Sequence, residues 1–196
     1  MFRRYAGKVK YWLTFNEINN MRRMPGAAGG IFFKEGENHQ QVVYQASHNM
    51  FVANALAIKL CHEIIPDAKI GCMLSLSNVY PHSCRPEDVF ETMELRRRSL
   101  LYGDIMIRGY YPNYMADIWD KENVHVEMEP GDEELMRKYT ADYLGFSYYR
   151  TTTHEYGTPF SGDTGGDQGT PNPYLKTTPW GWQIDRWTAL YAERTV

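Results

Sequence analysis

The distribution of apolar and polar positions along the chain predicts alternating strands and helices. Residues 9–16 are aromatic and rich in β-formers, and residues 69–76 and 143–149 form two further apolar runs, so each range predicts a buried strand. The segment from about Gln40 to Ile65 contains neither Gly nor Pro, which predicts a long helix. A second helix is predicted from Arg85 to about Gly103, because Pro and acidic residues occupy its first turn. This order of elements is typical of parallel β/α units, so the predicted fold class is α/β.

The remaining segments are predicted to be connections. Residues 21–38 are rich in Gly and show little periodicity, which predicts a loop. A short helix is predicted to begin at Pro130, where acidic residues follow Pro and Gly. Residues 157–173 combine Gly, Pro, Asp and Thr and predict a long surface loop. No Lys and no helix follow its glycines, so a phosphate-binding loop is not predicted there.

Several polar and aromatic residues are predicted to follow the strands, and catalytic residues of parallel β/α sheets usually lie at the carboxyl ends of the strands. Asn16 and Glu17 follow the first predicted strand, Asn78 lies shortly after the second, and Tyr149 ends the third. An apolar surrounding favours the protonated carboxyl group, which suits Glu17 to general acid catalysis. Asn16 offers both a donor and an acceptor to a sugar hydroxyl. A lone glutamate at a strand end is more often a surface or salt-bridged residue, so residue type alone leaves both interpretations open.

Composition and charge narrow the class of ligand. The 196 residues include 15 Tyr, 8 Phe and 5 Trp, and such aromatic content suits a ring-bearing ligand such as a sugar. The net charge of −3 argues against broad electrostatic binding to nucleic acid or to an acidic membrane. No stretch has the roughly 18 apolar residues of a membrane span, and the first residues lack the apolar core of a signal peptide. The odd, widely spaced Cys61, Cys72 and Cys84 predict reduced thiols in a cytoplasmic protein, and His48 and His82 are interpreted as structural.

Several short motifs follow one another along the chain: Trp12-Leu-Thr-Phe-Asn-Glu-Ile-Asn19, His48-Asn49, Gly109-Tyr-Tyr-Pro112, Leu144-Gly-Phe-Ser-Tyr-Tyr149 and Trp180-Gly-Trp-Gln-Ile-Asp185. Their order and separations resemble those of glycoside hydrolase family 1, the β-glucosidase family, and the resemblance covers residues 1–185. The first motif resembles the segment that holds the family's acid/base glutamate. Ile18-Asn19 after the Glu, and Ser147 before Tyr-Tyr, are similar to the 6-phospho-β-glucosidases within the family.

The resemblance implies a (β/α)8 TIM barrel that hydrolyses 6-phospho-β-D-glucosides to glucose 6-phosphate and an aglycone. It implies retention of configuration and no cofactor or metal. Carried over by position, Glu17 would be the acid/base catalyst and Asn16 would hold the sugar 2-hydroxyl. Tyr149 would steady the nucleophilic carboxylate, and Trp182 would form part of the sugar platform. Residue type alone leaves open that Tyr149 and Trp182 are core aromatics.

The chain departs from the family at the nucleophile, which is the Glu of an Ile/Val-x-Glu-Asn-Gly motif. The two Glu-Asn pairs here, Glu37-Asn38 and Glu122-Asn123, are followed by His and by Val instead of Gly. A retaining glycosidase needs two carboxylates about 5–5.5 Å apart, so the isolated chain is expected to be inactive. The family's phosphate-binding residues and first three strands are also missing. Residues 1–185 are therefore expected to form a partial barrel, roughly its middle half, from the fourth strand to about the seventh.

The last residues, 186–196, also depart from the family. Where the family continues Pro-x-Gly-Leu-Arg after Asp185, this chain continues Arg-Trp-Thr-Ala-Leu. One allowed coding of Trp187–Val196, read one base on, gives Gly-Leu-Arg-Tyr-Thr-Leu-Asn-Val-Leu, which is similar to the family's continuation. Residues 186–196 are therefore interpreted as an out-of-frame tail.

Three interpretations of the whole chain stay open. It belongs to a 6-phospho-β-glucosidase that acts on a phosphorylated β-glucoside, it is a non-catalytic fragment of pseudogene type, or it is a residual sugar-binding protein that kept its aromatic platform. A partial barrel leaves open strand edges and exposed apolar surface, so self-association or aggregation of the isolated chain is expected.

Overall fold

The computed structural model describes residues 1–159 and 169–188. The elements in chain order are α1 (Phe2–Tyr5), β1 (Tyr11–Leu13), a 3₁₀ helix (Ile18–Met21), α2 (Pro25–Gly29), α3 (His39–Ile64), β2 (Lys69–Pro81), α4 (Pro86–Arg108), α5 (Tyr114–Glu122), α6 (Asp132–Lys138) and β3 (Leu144–His154).

The chain divides into two compact units, each built from two separate segments. The first unit comprises Met1–Leu74 and Leu101–Gly145, and the second comprises Ser75–Leu100 and Phe146–Val196. The strands β2 and β3 and the helix α4 therefore each contribute residues to both units.

The three strands form one sheet in the order β1-β2-β3. β1 runs parallel to β2 with Tyr11 opposite Lys69, and the backbone N–H of Thr14 donates to Gly71 O at 3.2 Å just beyond β1. Parallel neighbours separated by the long helix α3 confirm the predicted α/β class with β/α units.

The strand ends differ from the prediction. β2 and β3 continue past Asn78 and Tyr149, so neither residue lies at a strand end. Two causes extend the strands. The β-branched threonines 151–153 favour extended backbone, and His82 N–H donates to His154 O at 2.9 Å. The second cause is a contact between residues far apart in sequence, which a short apolar window does not reveal.

The long helix α3 confirms the helix predicted for 40–65. Its start is fixed by Asn38, whose side-chain oxygen accepts hydrogen bonds from the backbone N–H groups of Gln40 and Gln41 at 3.0 and 3.3 Å. Phe51 and Ile58 are 2% and 1% exposed, so the middle of α3 lies in the core of the first unit. No helix in the described parts of the chain is both long and apolar enough to cross a membrane.

Two predicted loops contain more structure than expected. Residues 21–38 include α2, which begins with Pro25 at its first position and ends at Gly30 in a left-handed conformation. The loop predicted for 157–173 is described only in part, since 160–168 lie outside the described residues. Thr153 and Thr170 exchange backbone hydrogen bonds of 2.9 and 2.8 Å, so the end of this segment pairs with β3.

Side-chain amides on α3 hold the extended segment that follows α5. Gln41 Nε2 donates to His125 O at 2.7 Å, and His125 N–H donates to Gln41 Oε1 at 2.7 Å. One turn later, Gln45 makes the same pair with the backbone of Glu127, at 2.9 and 2.7 Å. Each amide thus satisfies a backbone N–H and C=O as a neighbouring strand would.

His48 supports the structural interpretation made for it. The ring is 1% exposed, its Nδ1 lies 2.8 Å from the Tyr111 hydroxyl, and its Nε2 lies 3.0 Å from Asp132 Oδ2. These contacts join α3 to α6 and to the chain after α4 within the first unit.

Candidate active site

The turn after β1 carries Asn16 and Glu17 in the first unit. Thr14 anchors this turn, because its hydroxyl donates to Asn54 Oδ1 at 2.7 Å and Asn54 is itself 2% exposed. The 3₁₀ helix that follows begins with Ile18, which is 1% exposed. Asn16 is exposed and Glu17 is half-buried, so a ligand can reach this turn while both of its flanks are fixed.

The backbone of Glu17 adopts a left-handed conformation, with φ 46° and ψ 50°. Residues other than Gly rarely adopt this backbone conformation, which lowers the stability of the fold by about 1–2 kcal/mol. Such strain persists only where surrounding contacts maintain it, and it occurs preferentially at functional sites. Here the buried Ile18 and Met21, 1% and 0% exposed, hold the following turn.

The strain at Glu17 predicts an unusual order of stability for two variants. Glu17→Gly is expected to unfold with a free energy about 1 kcal/mol higher than Glu17→Ala, because only Gly relieves the left-handed strain. Both variants lack the carboxyl group, so its contacts cancel in the comparison. Urea unfolding at low protein concentration measures the difference, and an Ala variant as stable as the Gly variant would contradict the strain.

The second unit places two of the predicted site residues in contact. The rings of Tyr149 and Trp182 meet edge to face, with centroids 5.7 Å apart and an interplanar angle of 72°. Trp180 meets Trp182 in a similar way, at 6.3 Å and 88°. Tyr149 is 41% exposed and Trp182 is 40% exposed, so neither ring is a core residue of this unit. Partly exposed aromatic rings offer faces on which a sugar or an aryl group can stack.

A tight turn presents Trp180 and Trp182. Thr178 N–H donates to Trp182 O at 2.7 Å, and Gly181 adopts φ +90°, a conformation that favours Gly. Gln183 then fixes the base of the turn. Its side chain accepts from Asn172 N–H at 2.6 Å, and its backbone carbonyl accepts from Thr151 N–H of β3 at 2.8 Å.

A buried carboxylate, Asp185, anchors the segment after Trp182. Asp185 is 3% exposed and accepts from Thr188 Oγ1, Tyr80 Oη and Trp187 N–H at 2.6, 2.7 and 2.8 Å. Its backbone N–H donates to Tyr148 Oη at 2.7 Å. Burial alone would raise the pKa of Asp185, but the hydrogen bonds from Thr188, Tyr80 and the backbone outweigh burial and lower it. The ionised carboxylate therefore ties this segment to β2.

Sequence reasoning missed some residues of the site and misplaced another. Asn78, predicted to follow a strand, lies within β2 and donates from Nδ2 to Thr188 Oγ1 at 2.8 Å. Asp185 was identified only as part of a motif, since its role depends on partners distant in sequence. In the sequence, only a spacing of three residues from Glu17 distinguishes Asn20. This spacing brings the two side chains one above the other only if the segment forms a 3₁₀ helix.

The Glu122-Asn123 pair has a structural explanation. Asn123 ends α5 in a left-handed conformation, φ 50°, and its N–H bonds back to the carbonyls of Asp120 and Trp119. Asn is one of the residues that tolerates this helix-ending conformation. Among the described residues, His, Cys, Asp and Glu side chains do not form a group of three able to hold a metal ion.

Comparison of the chain with known proteins identifies its relatives. The family model described as glycosyl hydrolase family 1 matches residues 1–193. The aryl-phospho-β-D-glucosidase BglH of Bacillus subtilis is 49% identical over 94% of this chain and 40% of its own length. The 6-phospho-β-glucosidase AscB of Escherichia coli is 45% identical over 94% of this chain and 39% of its own length. The chain thus spans about 40% of the length of the curated relatives it matches.

Solved structures share the fold at lower sequence identity. The family 1 β-glucosidase from Thermotoga maritima matches 99% of this chain and 43% of its own, with a TM-score of 0.73 at 21% identity. The virulence factor SghA, in complex with its substrate analog salicin, matches 100% of this chain and 42% of its own, with a TM-score of 0.75 at 17% identity. These likenesses confirm the predicted partial (β/α)8 barrel. The chain belongs to glycosyl hydrolase family 1 and is similar to its 6-phospho-β-glucosidases.

Proposed function

We propose that this chain carries the acid/base part of a 6-phospho-β-glucosidase, which releases glucose 6-phosphate and an aglycone with retention of configuration. The observation that carries the proposal is Glu17 itself, held in a strained turn directly after a parallel strand. Three relatives at 43–49% identity are named as phospho-β-glucosidases, which supports the phosphorylated substrate.

In the proposed mechanism, Glu17 serves twice. Its protonated carboxyl group gives a proton to the glycosidic oxygen while a second carboxylate attacks the anomeric carbon, so the aglycone leaves and a glycosyl-enzyme forms. The ionised Glu17 then takes a proton from water as that water attacks the anomeric carbon and frees the second carboxylate. The Asn16 amide would hold the sugar 2-hydroxyl.

The roles proposed for the second unit follow its aromatic residues. The Tyr149 hydroxyl would donate to the nucleophilic carboxylate and steady its ionised form. Trp182 would offer a ring face to the sugar, which its 40% exposure allows. No metal or cofactor takes part in this scheme, because both proton transfers use Glu17 and the covalent step uses a carboxylate.

The family's nucleophile motif, Ile/Val-x-Glu-Asn-Gly, has no match among the 196 residues. We therefore propose that the chain by itself does not hydrolyse glycosides. The test incubates the 196-residue chain with 4-nitrophenyl 6-phospho-β-glucoside and follows nitrophenol release. The expected rate equals that of its Glu17→Gln variant. Turnover that depends on Glu17 would contradict the proposal, and tight binding without turnover would favour a sugar-binding protein.

We also propose that the isolated chain self-associates through its sheet edge. β1 is an edge strand, and its Tyr11 and Leu13 are 64% and 46% exposed. Edge strands with exposed apolar side chains pair readily with other chains. Analytical ultracentrifugation should show an average molecular mass that grows with protein concentration. We expect Leu13→Lys to reduce this growth. A monomer at every concentration would contradict the proposal.

The interpretation of 186–196 as an out-of-frame tail stays a proposal, and residues 189–196 lie outside the described residues. The gene sequence tests it. We expect a shifted frame to encode Gly-Leu-Arg and, further on, a Glu-Asn-Gly motif, whereas stop codons in both other frames would contradict the interpretation.

A cytoplasmic location is also proposed, supported by Cys61, Cys72 and Cys84, which form no disulfide.

A further inference from the structure

A buried asparagine contacts the carboxyl group of Glu17. Asn20 is 7% exposed, and its Nδ2 donates to Glu17 Oε2 at 2.9 Å. Its backbone N–H also donates to Glu17 O at 2.9 Å. A 3₁₀ helix has three residues per turn, so side chains three positions apart lie one above the other. The 3₁₀ helix Ile18–Met21 therefore places the Asn20 amide against the Glu17 carboxyl group.

The hydrogen bonding of Asn20 is one-sided. Its Nδ2 bonds to Glu17, while its Oδ1 is buried and has no hydrogen-bond partner among the described residues. Buried polar atoms are nearly always paired, and an unpaired one lowers the stability of the fold. A side chain kept only for folding would gain from a partner at both ends. The contact with Glu17 is thus the interaction that accounts for an amide at this position.

We propose that Asn20 is a positioning residue for Glu17, an inference that rests on the acid/base role proposed for that carboxyl group. Donation to Oε2 fixes one carboxylate oxygen and so sets the plane in which the group meets a substrate. A fixed orientation serves both proton transfers, because each needs the carboxyl group within hydrogen-bond reach of the reacting oxygen.

Carboxyl labelling of the 196-residue chain tests this role without substrate. A carbodiimide activates the carboxyl group, glycine ethyl ester then displaces the urea to form an amide, and mass spectrometry gives the rate at Glu17 relative to exposed Glu63. Asn20→Leu, similar in size and without a donor, is expected to raise the relative rate about tenfold, because loss of one hydrogen bond to a charged group frees the half-buried Glu17 side chain to meet the reagent. Asn20→Asp is expected to raise it at least as much, because an aspartate at this position cannot donate to Glu17 Oε2 and its charge repels the Glu17 carboxylate.

The matched control is Met21→Ala, which removes a fully buried neighbour but keeps the Asn20 amide. We expect this variant to loosen the 3₁₀ helix, seen as faster amide hydrogen exchange of 18–21, and so to weaken the contact only in part, which raises the relative labelling of Glu17 less than Asn20→Leu does. Equal labelling in the chain and in Asn20→Leu would overturn the inference. So would a Met21→Ala variant that labels Glu17 as fast as Asn20→Leu does.

A different experiment tests the acid/base role proposed for Glu17. Glu17 is shown to lack the acid/base role if its replacement by Gln leaves glycoside hydrolysis intact in an enzyme that contains these residues. The labelling result concerns only the contact between Asn20 and Glu17. An overturned contact therefore leaves the acid/base role standing.

Discussion

Replacing Glu17 with Gln is expected to lower the hydrolysis of a 6-phospho-β-glucoside about 10³-fold in an enzyme that contains this chain. The chain can be tested in a chimaera in which residues 1–185 replace the matching segment of BglH, the Bacillus subtilis relative that is 49% identical to the chain. Glutamine keeps the shape of the side chain but can neither give nor take the proton. The quantity to measure is kcat/KM, with circular dichroism to confirm that the variant folds.

The leaving group supplies an internal control for the Glu17→Gln variant. An alkyl aglycone leaves poorly without a proton, whereas 4-nitrophenolate leaves more readily, so the loss in glycosylation rate should be larger for the alkyl glycoside. Glu122→Gln provides the matched variant, because Glu122 belongs to the Glu-Asn pair at the end of α5. We expect it to retain activity. Equal losses from Glu17→Gln and Glu122→Gln would contradict the assignment.

Gly109→Ala is expected to lower the free energy of unfolding by about 4 kcal/mol. Gly109 follows α4 with φ +78°, and a Cβ there would lie 2.6 Å from Arg137 Cα and 2.7 Å from Met136 O. Both are backbone atoms of α6, so no side-chain rotation relieves the overlap. The left-handed φ adds about 1 kcal/mol for any residue other than Gly. The urea midpoint at low protein concentration measures the loss.

Gly131→Ala separates the two causes of this loss. Gly131 has φ +99°, but a Cβ at that position would meet no atom within 4 Å. Its replacement should therefore lower stability by only about 1 kcal/mol. Similar losses at Gly109 and Gly131 would show that the close approach of α6 does not determine the requirement for glycine in the Gly109-Tyr-Tyr-Pro112 motif.

Local sequence signals predicted the elements whose limits are set locally. The helix predicted for 40–65 is observed at His39–Ile64, because Asn38 caps its start and Pro66 follows its end. The ends of β2 and β3 were predicted wrongly, since their extension depends on pairing between residues such as His82 and His154. α5 was not predicted at all.

The residues proposed for the site were found where a motif contains them, and contacts that depend on the folded geometry were not predicted. Glu17 and Asn16 were identified from the motif that holds them, and the resemblance assigned Tyr149 to the nucleophilic carboxylate and Trp182 to the sugar platform. The contact of Asn20 with Glu17 arises from a 3₁₀ helix, which has no apolar periodicity to predict it. Two hydrogen bonds of Asp185, with Tyr80 and with Tyr148, likewise join residues far apart in sequence.

We propose that these residues supply a competent acid/base part of a phospho-β-glucosidase but no nucleophile. The most direct test is the rate of 4-nitrophenyl 6-phospho-β-glucoside hydrolysis by the unsubstituted chimaera, measured beside the 196-residue chain. We predict that the chimaera hydrolyses the substrate within about tenfold of BglH, since 1.4 kcal/mol of misplacement costs about that factor, and that the chain shows no Glu17-dependent turnover. A chimaera that folds but does not hydrolyse the glycoside, or a chain that hydrolyses it through Glu17, would contradict the claim.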